Sequence, residues 1–450
     1  MLLTMLYFTI ALLLLVIIHE YGHFIVARLC GVKVLRFSFG FGKVLARWTD
    51  KRGTEYVWSL FPLGGYVKML DESEEEVPEN ERHLAFNNQS ILARIAIVVA
   101  GPLFNLMFAF LALWLVLVLG IYSLAPMIDG VTAGSPAAKA GLRPSEEIIS
   151  LNGKPIRSWR DFQYAMMPWV GSDASLTLGV KSMTNGQQKT VTLSLANWAL
   201  DTKKPDVLAS LGIQPFIPTI PPIVGSMIAD APARASGLQV DDHIEQVNGK
   251  PLTDWMELVE FVRSHPDTPM NLTVLRQGQR KTVTLTIGSK LQDGQKQGYI
   301  GLMPKKVNWP KEWLRYEHEP PIQAIGTAFM QTLDLTGATF SLLGRFVTGK
   351  LALGNISGPV GIAQGAGDSG RSGLSSYLSF LALISISLGV LNLLPIPMLD
   401  GGHLLFYLIE FIRRKPLSEE AKSVALYLGL GFLVTLMVLA MRNDISRLLG

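Results

Sequence analysis

Cysteine is almost missing from this chain: Cys30 stands alone among 450 residues. That excludes a disulfide framework and a thiolate-based zinc site, and leaves the redox compartment open. Charge is sparse as well. Acidic and basic side chains make up 17% of the residues, with a net charge of +4 and no clustered basic patch, which argues against a nucleic-acid partner. No Lys or Arg precedes Arg28, and no small-x-small site follows the opening apolar run. The N-terminus therefore reads as a retained span, not a secretory leader.

Hydrophobic residues take up the room. They make up 49% of the chain, and the mean hydropathy is +0.31. A membrane span needs about 20 mostly apolar residues, and segments 2–27, 91–121, 377–394 and 424–441 qualify. The third is the most polar, and its Ser385, Ser387 and Asn392 predict a helix packed inside a bundle. Lys33, Arg36, Lys43 and Arg47 lie between spans one and two, and Arg413, Arg414, Lys415 and Lys422 between spans three and four. Both connections are then cytoplasmic, with the termini and the long insert outside. Arg442 and Arg447 argue the other way but are outnumbered.

The insert contains a duplication. Pro136, Gly141, Leu142, Ile148, Asn152, Gly153, Lys154, Pro155 and Trp159 recur without a gap as Pro232, Gly237, Leu238, Ile244, Asn248, Gly249, Lys250, Pro251 and Trp255. A period this long is a domain repeat and not a solenoid. Asn-Gly between apolar runs predicts a hairpin, and alternation in "NLTVLRQGQRKTVTLTI" predicts two strands turning at Gln277–Gly278. The unit resembles a PDZ domain. That resemblance implies peptide binding at a sheet edge; the alternative is a rigid spacer with an empty groove.

The chemistry lies in "LLLLVIIHEYGHFIVARLC", residues 12–30. Helical residues four apart share a face, so His19 and His23 can offer two imidazoles to one metal ion. Glu20 lies on nearly the same face, placed to take a proton from metal-bound water, which zinc brings toward a pKa of about 7. Ionisable groups on a span cost on the order of 3 kcal/mol each unless paired, and a metal supplies the pairing. The bland alternative is a pair of interfacial histidines with a snorkelling Glu.

Catalytic zinc usually has three protein ligands. By topology the third comes from the end of span three, "NLLPIPMLDGGH". Pro395 and Pro397 stop the helix there, and Gly401 and Gly402 permit a sharp turn just after Asp400. Asp400 is the preferred ligand, with His403 as its competitor.

These features together resemble the site-2 protease family: HExxH at His19, Glu20 and His23, NxxPxPxLDGG at Asn392, Pro395, Pro397, Leu399, Asp400, Gly401 and Gly402, and tandem PDZ-like units between. The resemblance implies zinc held by His19, His23 and Asp400. It makes Glu20 the acid/base and has Asn392 hold substrate or stabilise the oxyanion. It also implies that "GTEYVWSLFPLGGYVKML", residues 53–70, forms a membrane-re-entrant β element. Gly64, Gly65, Tyr66 and Val67 would then pair with unwound substrate; a soluble hairpin on the membrane surface is the alternative.

The expected fold is an α-helical polytopic membrane protein with four transmembrane helices, the re-entrant β element and two external PDZ domains. Its parts are 1–30, the first span; 31–90, a cytoplasmic segment with the β element; 91–121, the second span; 122–215 and 216–310, the PDZ units. Then come 311–375, a linker with an amphipathic helix; 376–402, the third span; 403–423, a cytoplasmic loop; 424–443, the fourth span; and 444–450, an external tail. The acidic run 71–81 reads as a solvated loop, and "NISGPVGIAQGAG", residues 355–367, as a glycine-rich loop.

The implied function is zinc-dependent endoproteolysis of single-pass membrane proteins in a bacterial inner membrane, with the active site toward the cytoplasm. By resemblance the substrates are an anti-sigma factor already trimmed outside the membrane, and leftover signal peptides. Partners are those substrates, the lipid bilayer and peptide ligands of the PDZ units. Two rivals remain. A PDZ scaffold or chaperone would not need Glu20. A metal transporter would carry more intramembrane acids than Glu20 and Asp400.

Overall fold

The computed structural model describes every residue except 1, 74–75, 201–205, 230, 293–294, 308, 311, 350–353, 355–356, 416 and 450. Glu74 and Glu75 of the acidic run, and Asn355 and Ile356 of the glycine-rich stretch, lie outside the described residues. Two compact units emerge, one of Pro215–Leu314 and the other of Leu2–Gln214 with Arg315–Gly450.

Among the described residues, four helices are long and apolar enough to cross a membrane: Leu2–Leu29, Ile91–Leu119, Leu374–Asn392 and the 420–446 stretch of Glu419–Leu449. The chain is thus a polytopic membrane protein. The second span is the hub, packing against both the first and the third. Ser385 on the third span is fully buried and donates to the Asn105 carbonyl at 2.8 Å, as a bundle-facing serine should.

Between spans one and two the strands Val34–Thr49 and Glu55–Met69 fold back on each other. Phe37, Ser38 and Phe39 pair on one side with Tyr56, Val57 and Trp58 and on the other with Val67, Tyr66 and Gly65. The segment 65–69 is therefore an outer strand with no further strand beside it among the described residues. The sheet is fastened to the base of the first span by Arg28, which pairs with Asp50 and donates to Thr54 Oγ1 at 2.7 Å. That guanidinium holds the Asp50 carboxyl down to about 2. In the acidic run, Glu81 pairs with Lys33 at 2.6 Å.

The two repeats of the insert have the same construction. Each is a four-stranded sheet: in the first the order runs Lys154–Pro155, Glu146–Leu151, Ser175–Ser182, Gln188–Ser194, and the second repeats it. Asn152 and Asn248 both take positive φ, 49° and 50°, each followed by glycine as a two-residue hairpin requires. Their side chains accept from Thr177 N and Asn271 N, both at 2.8 Å. The turn at Gln277–Gly278 also forms, with Arg276 paired to Gln279. Trp159 and Trp255 occupy equivalent core positions.

Three expectations are refined. The linker helix, Pro321–Val347, does more than lie on a surface. Its Ala324, Ala328 and Leu335 share a core with spans two and three, and Leu342 and Phe346 pack on the first repeat. The stretch expected to loop is a helix, Pro359–Arg371. Tertiary contact decides this against poor glycine propensity, because Asp444 accepts from Gly358, Val360 and Gly361 N at 3.0, 2.9 and 3.1 Å. The connection after the third span is also helical, Asp400–Arg413.

Candidate metal centre

His19 and His23 sit one turn apart on the first span and are both buried. Gly22 brings the second span close: a Cβ there would come within 3.0 Å of the Ala100 carbonyl. Such small-residue crossings let membrane helices touch backbone to backbone. The crossing places Gly101 directly under the imidazoles, where a Cβ would fall 2.8 Å from His19 Cε1 and closer still to His23 Nε2.

Asp400 arrives from the other end of the chain. The third span stops at Asn392, and a broken stretch follows that contains Met398 at φ 90°. Such backbone costs of order 1–3 kcal/mol. The short helix then begins with Asp400 at its first turn. Gly401 and Gly402 do not make the turn that the sequence suggests. They lie inside the helix, where a Cβ would strike the Leu393, Leu394 and Ile396 carbonyls. Glycine is needed so that the break can fold against the first helical turn. Glu410, further along, pairs with Arg94 of the second span at 3.4 Å.

The outcome is a compact donor set. His19 Nε2 and His23 Nε2 are 3.1 Å apart, and Asp400 Oδ2 lies 3.1 and 3.5 Å from them. Zinc bonds of about 2.0–2.1 Å in a tetrahedron put ligand atoms about 3.3 Å apart, so the set fits zinc. Asp400 Oδ2 is also buried without a hydrogen-bond partner, as a metal-facing lone pair would be. Among the described residues this is the group with metal-holding geometry, and His403 is not in it. His403 instead lines a cavity of about 950 Å³ with His23, Asp400, Tyr66 and Val67.

Glu20 is half-buried beside the donor set. The outer strand of the sheet runs against it: a Cβ on Gly65 would sit 3.6 Å from Glu20 Cγ, and the Val67 backbone faces its carboxylate. The four β-element residues singled out in the sequence thus divide. Gly65 and Val67 flank Glu20, Tyr66 and Val67 line the cavity, and Gly64 packs under Phe41. Asn392 closes the third span half-buried, with no hydrogen bond to the donor set. Sequence reasoning missed the second-span groups that hold the imidazoles. His23 Nδ1 donates to the Ile97 carbonyl at 2.8 Å, and Asn105 meets His19 Nδ1 at 3.1 Å. A lone amide in an apolar span was the available signal.

The model of the family described as Peptidase family M50 matches residues 7–436, and the chain belongs to that family. It is thus a site-2-type zinc metalloprotease. The chain is 45% identical over 442 residues to the regulator of sigma-E protease RseP of Salmonella typhimurium (strain 14028s / SGSC 2262), covering 98% of each chain. It is 44% identical over 441 residues to the protein of the same name from Escherichia coli (strain K12), and 42% identical over 442 residues to protease RseP of Yersinia pestis, again covering 98% of each.

Proposed function

We propose that this chain is an intramembrane endopeptidase that cuts single-pass membrane proteins within or near the bilayer. His19, His23 and Asp400 serve as zinc ligands and Glu20 as the acid/base. The observation that carries the reading is the convergence of two imidazole nitrogens and one carboxylate oxygen within 3.5 Å, beside a glutamate and the outer strand of the sheet. Zinc, when bound, supplies Lewis acidity, which activates water near neutral pH and polarises a peptide carbonyl.

The protein's own groups do the rest. Glu20 takes the proton of the attacking water and returns it to the leaving amide nitrogen. A helical substrate must unwind before its carbonyl can be attacked, and each main-chain group left unpaired in a dry site costs several kcal/mol. Gly65, Tyr66 and Val67 offer main-chain partners to the unwound segment, with Gly64 supplying the bend before them. Asn392 steadies the substrate or the developing oxyanion.

The names of the relatives extend the reading to sigma-E regulation. The substrate is then an anti-sigma factor already trimmed outside the membrane, with remnant signal peptides as a further class. The distribution of basic residues supports a cytoplasmic β element and short helix with the two repeats outside; the repeats are read as PDZ domains and the sheet as re-entering the bilayer. Their shared hairpin chemistry supports that assignment.

The deciding experiment is Glu20→Gln in the full chain, assayed on a transmembrane peptide by mass spectrometry with zinc content measured in parallel. The reading expects full zinc and a loss of cleavage of at least 100-fold. Cleavage at the wild-type rate by a zinc-loaded variant would remove Glu20 from the chemistry.

A further inference from the structure

We infer that Asn105 is a positioning residue of the metal centre: its side-chain oxygen accepts the His19 Nδ1 proton and so turns the His19 Nε2 lone pair toward the ion. The inference rests on the reading of His19 as a zinc ligand.

Asn105 is completely buried at the centre of the second span. A primary amide in that setting costs several kcal/mol unless it is hydrogen-bonded. It is also held from three sides. Ser385 of the third span donates to its backbone carbonyl at 2.8 Å, Gly389 leaves room for its Cβ, and its side chain reaches the first span at His19 Nδ1, 3.1 Å away. The amide can do little there except contact the imidazole.

Two orientations of that amide are chemically distinct. With Nδ2 toward His19, Nδ1 must accept, and a neutral imidazole then carries its proton on Nε2. That is the atom lying 3.1 Å from both His23 Nε2 and Asp400 Oδ2. This orientation also leaves Asn105 Oδ1 buried with no partner. Turning the amide by 180° gives the oxygen the Nδ1 proton as its partner, puts the Nδ2 hydrogens where the oxygen lacked one, and frees Nε2 to bind a cation. His23 already follows this pattern, with Nδ1 donating to the Ile97 carbonyl at 2.8 Å. Metal-binding histidines nearly always give their other N–H to an oxygen acceptor, and losing that acceptor typically costs 10–100-fold in metal affinity. Ile97, Gly101 and Asn105 are spaced four apart on one face of the second span. That face therefore serves both histidines: a main-chain carbonyl for one, a side-chain carbonyl for the other, and a bare backbone between them.

The test compares wild type, Asn105→Ala, Asn105→Asp and His19→Ala as full chains in detergent. Zinc affinity is measured by competition with a chromophoric chelator, and the visible spectrum is recorded with cobalt in place of zinc. Asn105→Ala is expected to weaken zinc about 10–100-fold and to alter the cobalt bands. Asn105→Asp keeps both shape and acceptor and is expected to stay within about threefold of wild type by the same logic. Wild-type affinity in Asn105→Ala overturns the inference, and so does an Asn105→Asp variant as weak as Asn105→Ala. If His19→Ala holds zinc as tightly as wild type, the metal-site reading itself fails. If His19→Ala loses zinc while Asn105→Ala does not, only the role of Asn105 falls.

Discussion

Gly101 of the second span lies directly beneath His23 of the first: a Cβ on Gly101 would overlap His23 Nε2. The candidate metal centre is thus defined as much by a missing side chain as by its proposed ligands. Asp400 Oδ2 is 3.5 Å from His23 Nε2, and the Ile97 carbonyl holds His23 Nδ1 at 2.8 Å, so the imidazole has little room to shift. Gly101→Ala should displace it and lower cleavage by on the order of 100-fold, the usual result of a misplacement of about 1 Å. Zinc content should fall with it. Cleavage rate and metal analysis on one purified sample check both.

Gly65 tests the neighbouring contact. Its missing side chain lets the outer strand lie against Glu20 Cγ and the Ser38 carbonyl. Gly65→Val should push the strand away from Glu20 without touching a ligand. The expected result is a 10- to 100-fold loss of cleavage, in line with displaced positioning groups, with zinc content unchanged. A loss of zinc would mean that the strand supports the donor set directly.

Asp50 predicts a pH response in the β element. Its carboxyl is held at about 2 by Arg28, below an ordinary value of about 3.9. A depressed acid stabilises the fold above its unfolded pKa, and that contribution fades as pH falls toward the folded pKa. The sheet should therefore loosen from the first span between about pH 4 and pH 2, read by Trp48 and Trp58 fluorescence. Asp50→Asn should remove that step, leaving the sheet equally loose on both sides of the window.

Asp444 predicts a local stability effect far from the chemistry. Its carboxylate takes three main-chain donors at the start of the Pro359–Arg371 helix. Charge-assisted bonds of this kind contribute about 2 kcal/mol, so Asp444→Ala should raise hydrogen exchange at Gly358, Val360 and Gly361 about 30-fold. Unchanged exchange would show that the helix is held by its packing alone.

How far the sequence reads into the structure depends on the range of each interaction. The donor set was legible because His19 and His23 are coupled by helical spacing and Asp400 by a proline break at matching depth. The repeats were legible because Asn152–Gly153 and Asn248–Gly249 encode their own turns. The Pro359–Arg371 helix was not, since its glycines disfavour helix and its cap comes from Asp444, far along the chain. The glycines after Asp400 were read as turn formers, because nothing local reveals that the Leu393–Ile396 carbonyls press against them. Asn105 escaped notice because its meaning lies in the imidazole opposite it.

His19 and Asp400 come from opposite ends of the sequence and meet at 3.1 Å. A cation held between them, as proposed, would work as a clasp on a necklace, fastening the first helix to the last third of the chain through a loop that encloses nearly everything else. An ion bound only by the native arrangement adds its binding free energy to the fold. Catalytic competence and mechanical integrity would then be lost together when the ion is stripped away.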